Sequence, residues 1–281
     1  MSRLDGNGLT EKQFLEQYDP SDYPRLSVTV DIVIFTIADV FKNNYRKLPE
    51  KEMQVLLIQR GGHPFIGQWA LPGGFIRPNE TVGEAANREL TEETGLQGSH
   101  LEQLYTFSKP NRDPRAWVIS CSHMALVDSE RLHLTTGSDA EDAQWFKVVA
   151  EQKDSVIHLS LSNGNTTLRV EWKTNSDGKE FQVISNEGLA FDHAEIIICA
   201  IQRLRSKLEY TDLAFSLMPE KFTLTQLQQV YETILGKSLY KAAFRRKIVD
   251  LVQETDLYTS DKGHRPAKLY TRKVESEGAG I

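Results

Sequence analysis

Cysteine is scarce. Only Cys121 and Cys199 occur in 281 residues, far apart, in apolar surroundings and without a Cys-x-x-Cys spacing. That excludes a disulfide scaffold and favours reduced, buried thiols over a redox or metal pair. Long apolar runs are missing too: none reaches the roughly 18 to 20 residues needed to cross a bilayer, and Met1 to Thr10 lacks the apolar segment of a signal peptide. These absences point to a cytoplasmic protein with no membrane partner. None of the seven histidines stands at a zinc-ligand spacing from another histidine or a cysteine, so zinc is not expected. Internal repeats and low-complexity tracts are absent as well. At 40% hydrophobic a chain of this length buries a sizeable core, with two domains the default expectation.

The net charge of −6 is unevenly spread. Residues 1–188 hold 19 Lys and Arg against 27 Asp and Glu, a local −8, whereas residues 237–273 hold 10 against 4, a local +6. A basic C-terminal module on an acidic body is a candidate nucleic-acid contact, or else a solvated basic face.

The first 25 residues are polar, and Asp19 to Pro24 reads as a turn. Segments rich in Val, Ile, Thr and Phe at Ser27–Ile37 and Met53–Gln59 predict strands. Gly61 to Gly74, with two prolines and Trp69 among its glycines, predicts a loop. Strands are also predicted at Leu104–Ser108, Trp117–Val127 and Ala143–Phe146, then in a second β-rich stretch at Val156–Leu161, Thr167–Trp172 and Phe181–Ile184. After Leu189 the pattern turns helical over Ala194–Leu208, Thr225–Leu235 and Lys241–Val252, and a basic, hairpin-like tail runs from Leu257 to Arg272. Trp69 and Trp117 read as core residues rather than adenine platforms.

Thr81 to Thr94 carries the clearest local signal. Val82, Ala86 and Leu90 recur at four-residue steps, Thr81-x-x-Glu84 makes a capping box, and Gly95 stands where a helix stop is expected. On this helix Glu89, Glu92 and Glu93 share one face, in the last turn, where the helix dipole prefers cations. A divalent hard cation relieves that repulsion, because Mg²⁺ (or Mn²⁺) takes oxygen ligands. Arg88, four residues after Glu84 and four before Glu92, can bridge carboxylates, and Gly73-Gly74 lets the backbone approach a diphosphate or lend a carbonyl to the metal.

The spacing Gly74, Glu80, Arg88-Glu89-Leu90, Glu92-Glu93, Gly95-Leu96 resembles the Nudix hydrolase signature without a departure. The resemblance implies an α/β/α sandwich, metal ligands at Glu89, Glu92 and Glu93 with the Gly74 carbonyl, support from Glu80 and Arg88, and water attack on a diphosphate linked to another moiety. Glu92, Glu93 and Arg88 are then the catalytic candidates. A further acid from a loop outside the box is common in the family, and Asp139, ahead of Glu141 and Asp142, is the first choice. In Lys109-Pro110-Asn111-Arg112-Asp113-Pro114-Arg115 the proline resembles that of ADP-ribose pyrophosphatases. Arg112 and Arg115 match phosphate oxygens or surface carboxylates. With Arg60, Gly73 and Phe75 they form the candidate substrate-binding set.

Thr223 to Tyr231 starts like a capped helix, Gly236 breaks it, and a second helix carries Phe244-Arg245-Arg246-Lys247. Two short helices around a glycine turn, with a basic hairpin after them, describe helix-turn-helix geometry with a wing. Arg245, Arg246 and Lys247 on the helix, and Lys262, Arg265 and Lys268 on the hairpin, are the DNA-binding candidates. From about Tyr23 to Arg272 the chain resembles the Nudix-related transcriptional regulators of bacterial NAD metabolism. The marks are Thr29-Val30-Asp31, His63-Pro64-Phe65, Arg112-Asp113-Pro114-Arg115, Leu189-Ala190-Phe191-Asp192-His193, Phe244-Arg245-Arg246-Lys247 and Arg265-Pro266-Ala267.

That resemblance implies an α+β chain, a Nudix sandwich followed by a winged helix-turn-helix, which reads ADP-ribose or a related nucleoside diphosphate and binds operator DNA as a homodimer. The expected domains are an N-terminal extension at 1–25, a Nudix domain at 26–188 with a strand-rich insert at about 153–187, a linker helix and winged helix at 189–275, and a tail at 276–281. Many such regulators have a degraded box, and this one is intact. Three readings stand at this point: a repressor that hydrolyses its effector, an ADP-ribose pyrophosphatase whose tail serves dimerisation or protein contacts, and a non-catalytic sensor.

Overall fold

The computed structural model describes residues 3–41, 49–95, 100–128, 140–174, 181–208, 211–259 and 266–273. Its centre is β1 (Ser27–Val40), which is apolar on both faces because both are covered. Among the described residues, ten strands form one mixed sheet. β2 (Glu50–Arg60) lies antiparallel beside β1, and β6 (Val118–Leu126) lies parallel on its other side. β5 (His100–Phe107) closes the edge next to β6. Beyond β2 the sheet continues as an antiparallel meander: β7 (Ala140–Lys153), β8 (Val156–Ser162), β9 (Thr167–Thr174) and β10 (Phe181–Glu187). Short strands β3 (Trp69–Ala70) and β4 (Gly73–Phe75) pair with β2 and β1, inside the segment whose glycines and prolines predict only a loop.

The two-residue period of β1 separates two cores. Val30, Ile32 and Ile34 face α2 (Val82–Thr94) and pack with Ala85, Ala86 and Leu90. Val33, Phe35 and Ile37 belong to the other core, together with Ile196, Ile197, Ile201 and Leu204 of α3 (His193–Lys207). α3 therefore supplies the second helical layer of the sandwich, although the sequence places it with the C-terminal domain as a linker helix. The insert is part of the same construction: Leu159, Leu161, Val170 and Trp172 of β8 and β9 are buried in the α3 core.

The C-terminal unit begins with a short 3-10 turn at Leu213–Leu217. α4 (Leu224–Leu235) starts with the Thr223/Gln226 capping box and stops at Gly236, whose φ of 67° is the left-handed conformation that glycine accepts most easily. α5 (Lys241–Ile248) is shorter than its sequence pattern predicts. Val249–Leu251 tightens into a 3-10 turn and Val252 already opens β11 (Val252–Tyr258), which pairs with β12 (Lys268–Arg272). Phe222, Tyr231, Ile234, Phe244 and Ile248 fill this unit and join the α3 core without a break. α4 also donates from Gln229 to the Pro49 carbonyl (3.2 Å) and from Thr233 to the Lys51 carbonyl (3.3 Å), which docks it beside the start of β2.

Other differences are local. α1 (Glu11–Gln17), in the polar N-terminal segment, has a Thr10/Gln13 capping box and no buried residue, so no apolar periodicity announces it. Trp69 is core, but Trp117 is 54% exposed rather than packed. Cys121 and Cys199 are free thiols, half-buried rather than fully enclosed. No helix among the described residues is long and apolar enough to cross a membrane.

Candidate functional site and DNA-binding face

α2 begins with the Thr81/Glu84 capping box and ends at Gly95 in the left-handed conformation, as its sequence predicts. The box uses up Glu84. Arg88 accordingly pairs with Glu80 (2.9 Å), Glu89 (2.6 Å) and Glu92 (3.4 Å), and not with Glu84 as its spacing also allowed. Arg88 holds the Glu80 carboxyl down at about 2, with the Arg77 backbone N–H adding to the effect. This folded-state value lies below the ordinary 4.5. The pair's stabilisation is thus complete above that range and is lost as pH falls towards 2. Thermal melts from pH 6 to pH 2 should show wild type losing its advantage over Glu80→Gln inside that window. A gap that stays constant would disprove the assignment.

Glu89 and Glu93 are buried on the same helix face. Burial, then the neighbouring charges of Glu89 and Glu92, pushes the Glu93 carboxyl up to about 7, and its Oε2 has no hydrogen-bond partner among the described residues. Burial also raises Glu89, against the opposing pull of Arg88. Glu89 lies against Gly74, where an added Cβ would collide with its carboxylate. An orphaned buried carboxylate oxygen and an all-oxygen donor set fit a hard divalent cation. Among the described residues, however, no three acidic, histidine or cysteine side chains are gathered as a ready-made metal site. Arg88 draws Glu89 and Glu92 to itself instead.

Next to Gly73 and Gly74 opens a cavity of about 600 Å³, within the size range of small-molecule sites. Arg60 at the end of β2, Phe75 at the end of β4, Arg115 from the 109–115 loop and Phe191 just ahead of α3 line it. Gly73 permits the close fit of β4 on β1, since a Cβ there would collide with the Val30 carbonyl. Arg112 reaches the cavity wall but is committed. Its side chain is 4% exposed and is held by Asp192 (2.8 and 2.6 Å) and Asp31 (3.3 Å), a buried ion cluster rather than a surface pair. Arg115 is clasped by Asp113 (3.0 and 2.7 Å).

His193 completes this wall. Its Nδ1 accepts from the Leu71 N–H (2.8 Å), and burial lowers its pKa, so the ring is neutral with its proton on Nε2, 3.6 Å from Asp31. Asp31, Phe191, Asp192 and His193 are site residues to which the sequence assigns no role. Their only signal was membership of the Thr29–Asp31 and Leu189–His193 marks. Asp139 lies outside the described residues, and of the side chains of Glu141 and Asp142 nothing is described.

On α5, Phe244 and Ile248 point inwards while Arg245 and Arg246 are exposed. Lys247 turns back: its Nζ donates to the Leu208 carbonyl (3.2 Å) and lies 5.6 Å from the Tyr231 ring centre. Lys268 pairs with Glu254 across the hairpin, and Lys262 and Arg265 fall outside the described residues.

A carboxylate-box helix and a ligand-sized cavity on a sheet with a helix on each face, joined to a helix-turn-helix with a two-stranded wing, define a Nudix protein with a winged helix module. Comparison with known families agrees: the NUDIX domain matches residues 47–158, and the NrtR DNA-binding winged helix domain matches residues 214–271. The ADPR responsive transcriptional repressor NtrR of Acinetobacter baylyi is 36% identical over 268 residues, covering 94% of this chain and 89% of that protein. The chain belongs to the NrtR family of Nudix-related transcriptional regulators.

Among solved structures, a MutT/nudix family protein from Enterococcus faecalis superimposes with a TM-score of 0.72 at 32% identity over 94% of both chains. NrtR of Shewanella oneidensis complexed with a 27mer DNA gives a TM-score of 0.61 at 30% identity, over 88% of this chain and 93% of that one. An ADP-ribose pyrophosphatase of Methanocaldococcus jannaschii is 45% identical over 97 residues, 34% of this chain and 56% of that enzyme.

Proposed function

We propose that the protein is an ADP-ribose-responsive transcriptional repressor that also hydrolyses its effector. The observation that carries this reading is an intact carboxylate box beside a cavity of about 600 Å³, on a sheet whose α3-side core runs on into a winged helix with exposed arginines. The name of the Acinetobacter baylyi relative supports the regulatory half, and that of the Methanocaldococcus jannaschii relative supports the enzymatic half. On this reading a cytoplasmic homodimer presents two copies of α5 to two operator half-sites.

Glu89, Glu92, Glu93 and the Gly74 carbonyl would hold Mg²⁺ (or Mn²⁺), which when bound neutralises phosphate charge and lowers the pKa of water. The chain's own residues do the rest. Arg60 and Arg115 face the diphosphate, with Phe75 and the Gly73 backbone at its side. Arg112 acts indirectly, by fixing Asp31 and Asp192 in the wall. Arg88 orients the box carboxylates while Glu80 anchors Arg88.

One observation favours a second reading. Arg88 engages Glu89 and Glu92, so the carboxylates are not gathered, as suits a sensor that does not turn over its ligand. A gel shift on the protein's own upstream DNA, with and without ADP-ribose, beside an assay for ADP-ribose hydrolysis, tests both. An ADP-ribose-sensitive shift together with turnover is the expected result. A shift without turnover leaves the sensor, and turnover without any shift leaves a pyrophosphatase whose winged helix serves dimerisation or protein contacts.

A further inference from the structure

The Leu189–His193 segment is absorbed by neither the carboxylate box nor the winged helix, yet it builds one wall of the cavity. Within it Phe191 adopts φ of 52°. A bulky side chain rarely enters this left-handed region unless its surroundings hold it there. Phe65, itself at φ 63°, meets the Phe191 ring edge-on at 4.7 Å. Two guanidinium groups lie against that same ring, with Arg60 Cζ 4.9 Å and Arg115 Cζ 5.6 Å from its centre. Arg115 is also 5.3 Å from the Phe75 ring.

Both guanidinium groups are anchored to the protein. Arg60 Nε donates to the Pro64 carbonyl at 2.7 Å, and Arg115 uses Nε and Nη2 on Asp113. Arg115 Nη1 has no hydrogen-bond partner among the described residues. A ring beside a guanidinium fixes its plane, and planar N–H edges are what phosphate oxygens require. Arg112 cannot take this role, because Asp31 and Asp192 already neutralise it.

We infer that Phe191 is a positioning residue for a diphosphate clamp: its ring orients Arg60 and Arg115 towards the two phosphates of the ligand. The inference rests on the proposal that this cavity takes a nucleoside diphosphate, and it locates the specificity for the diphosphate in the wall next to α3.

Calorimetry with pyrophosphate and with ADP-ribose, both in EDTA so that no turnover occurs, tests it on the full chain. Phe191→Leu removes the ring and keeps an apolar side chain at the same strained φ, whereas Phe191→Tyr keeps the ring. The Leu variant should bind both probes about 5- to 30-fold more weakly, and the Tyr variant should stay within about 2-fold of wild type. Arg115→Lys should show a similar loss that is not additive with that of Phe191→Leu, a check that remains if the Leu variant proves unstable. Equal affinity in wild type and Phe191→Leu, equal loss in the Leu and Tyr variants, or no pyrophosphate binding by wild type each overturns the clamp. Ring-dependent binding of pyrophosphate without binding of ADP-ribose would uphold the clamp and reject the ligand reading.

Discussion

A chain carrying Glu93→Gln is expected to turn over ADP-ribose roughly three orders of magnitude more slowly than wild type, about 4 kcal/mol of lost transition-state stabilisation. The fold should survive, because an amide has the shape of the carboxyl it replaces. The size of the effect follows from the position of Glu93. It is 6% exposed, it faces two like charges, and its Oε2 has no hydrogen-bond partner among the described residues. A group placed at such a disadvantage has its purpose elsewhere, and a divalent cation is the partner that the oxygen set fits. Glu92→Gln should fall in the same direction. Glu92 already interacts with Arg88 and Arg77, so its loss also disturbs that network. Wild-type rates in both variants would remove the box from the mechanism. A wild type without turnover, whose ADP-ribose affinity is indifferent to both changes, would place the ligand in the arginine-lined wall alone.

The box was legible because its information is local. A capping box, a four-residue apolar step and a terminal glycine lie within fifteen residues of one another and fold as they read. The Arg88 partners show the limit of spacing: Glu84 and Glu80 are both within its reach, and the hydrogen bonds that the Thr81 N–H and hydroxyl donate to the Glu84 carboxylate decide between them. What the sequence could not carry is long-range. Ile196, Ile197 and Ile201 mark α3 as buried, but nothing in its periodicity says that the sheet, rather than the winged helix, lies beneath it. Arg112 looks like a phosphate ligand until Asp31 and Asp192, 81 and 80 residues away, close on it. Trp117 errs the other way, since hydrophobicity alone does not say whether a covering element arrives, and α1 forms on a capping box with no apolar periodicity to announce it. α5 ends early for a related reason: Val249 to Val252 is apolar enough to extend a helix, yet Val252 is claimed by the wing, paired with Arg272.

The second large effect concerns DNA, and α5 predicts it as a contrast between adjacent cations. Arg246 stands two residues from both Phe244 and Ile248, the buried pair that fixes the inward face, so it projects from the opposite side of the helix. In a helix-turn-helix that face enters the major groove. Arg246→Ala is therefore expected to weaken operator binding by about 10- to 100-fold. If Arg246 reads a base edge, the loss is confined to the cognate sequence. If it holds a phosphate, binding falls equally on all sequences and the salt dependence becomes shallower. Lys247 behaves differently, because its ammonium donates to the Leu208 carbonyl at the end of α3 and lies against Tyr231. Lys247→Ala should lower the melting temperature and leave the salt dependence of DNA binding near that of wild type. Measuring both variants on operator and random duplexes at two salt concentrations separates the roles. If Lys247→Ala flattened the salt dependence while Arg246→Ala left affinity unchanged, the inward turn of Lys247 would not persist on DNA and the reading face of α5 would have to be rotated.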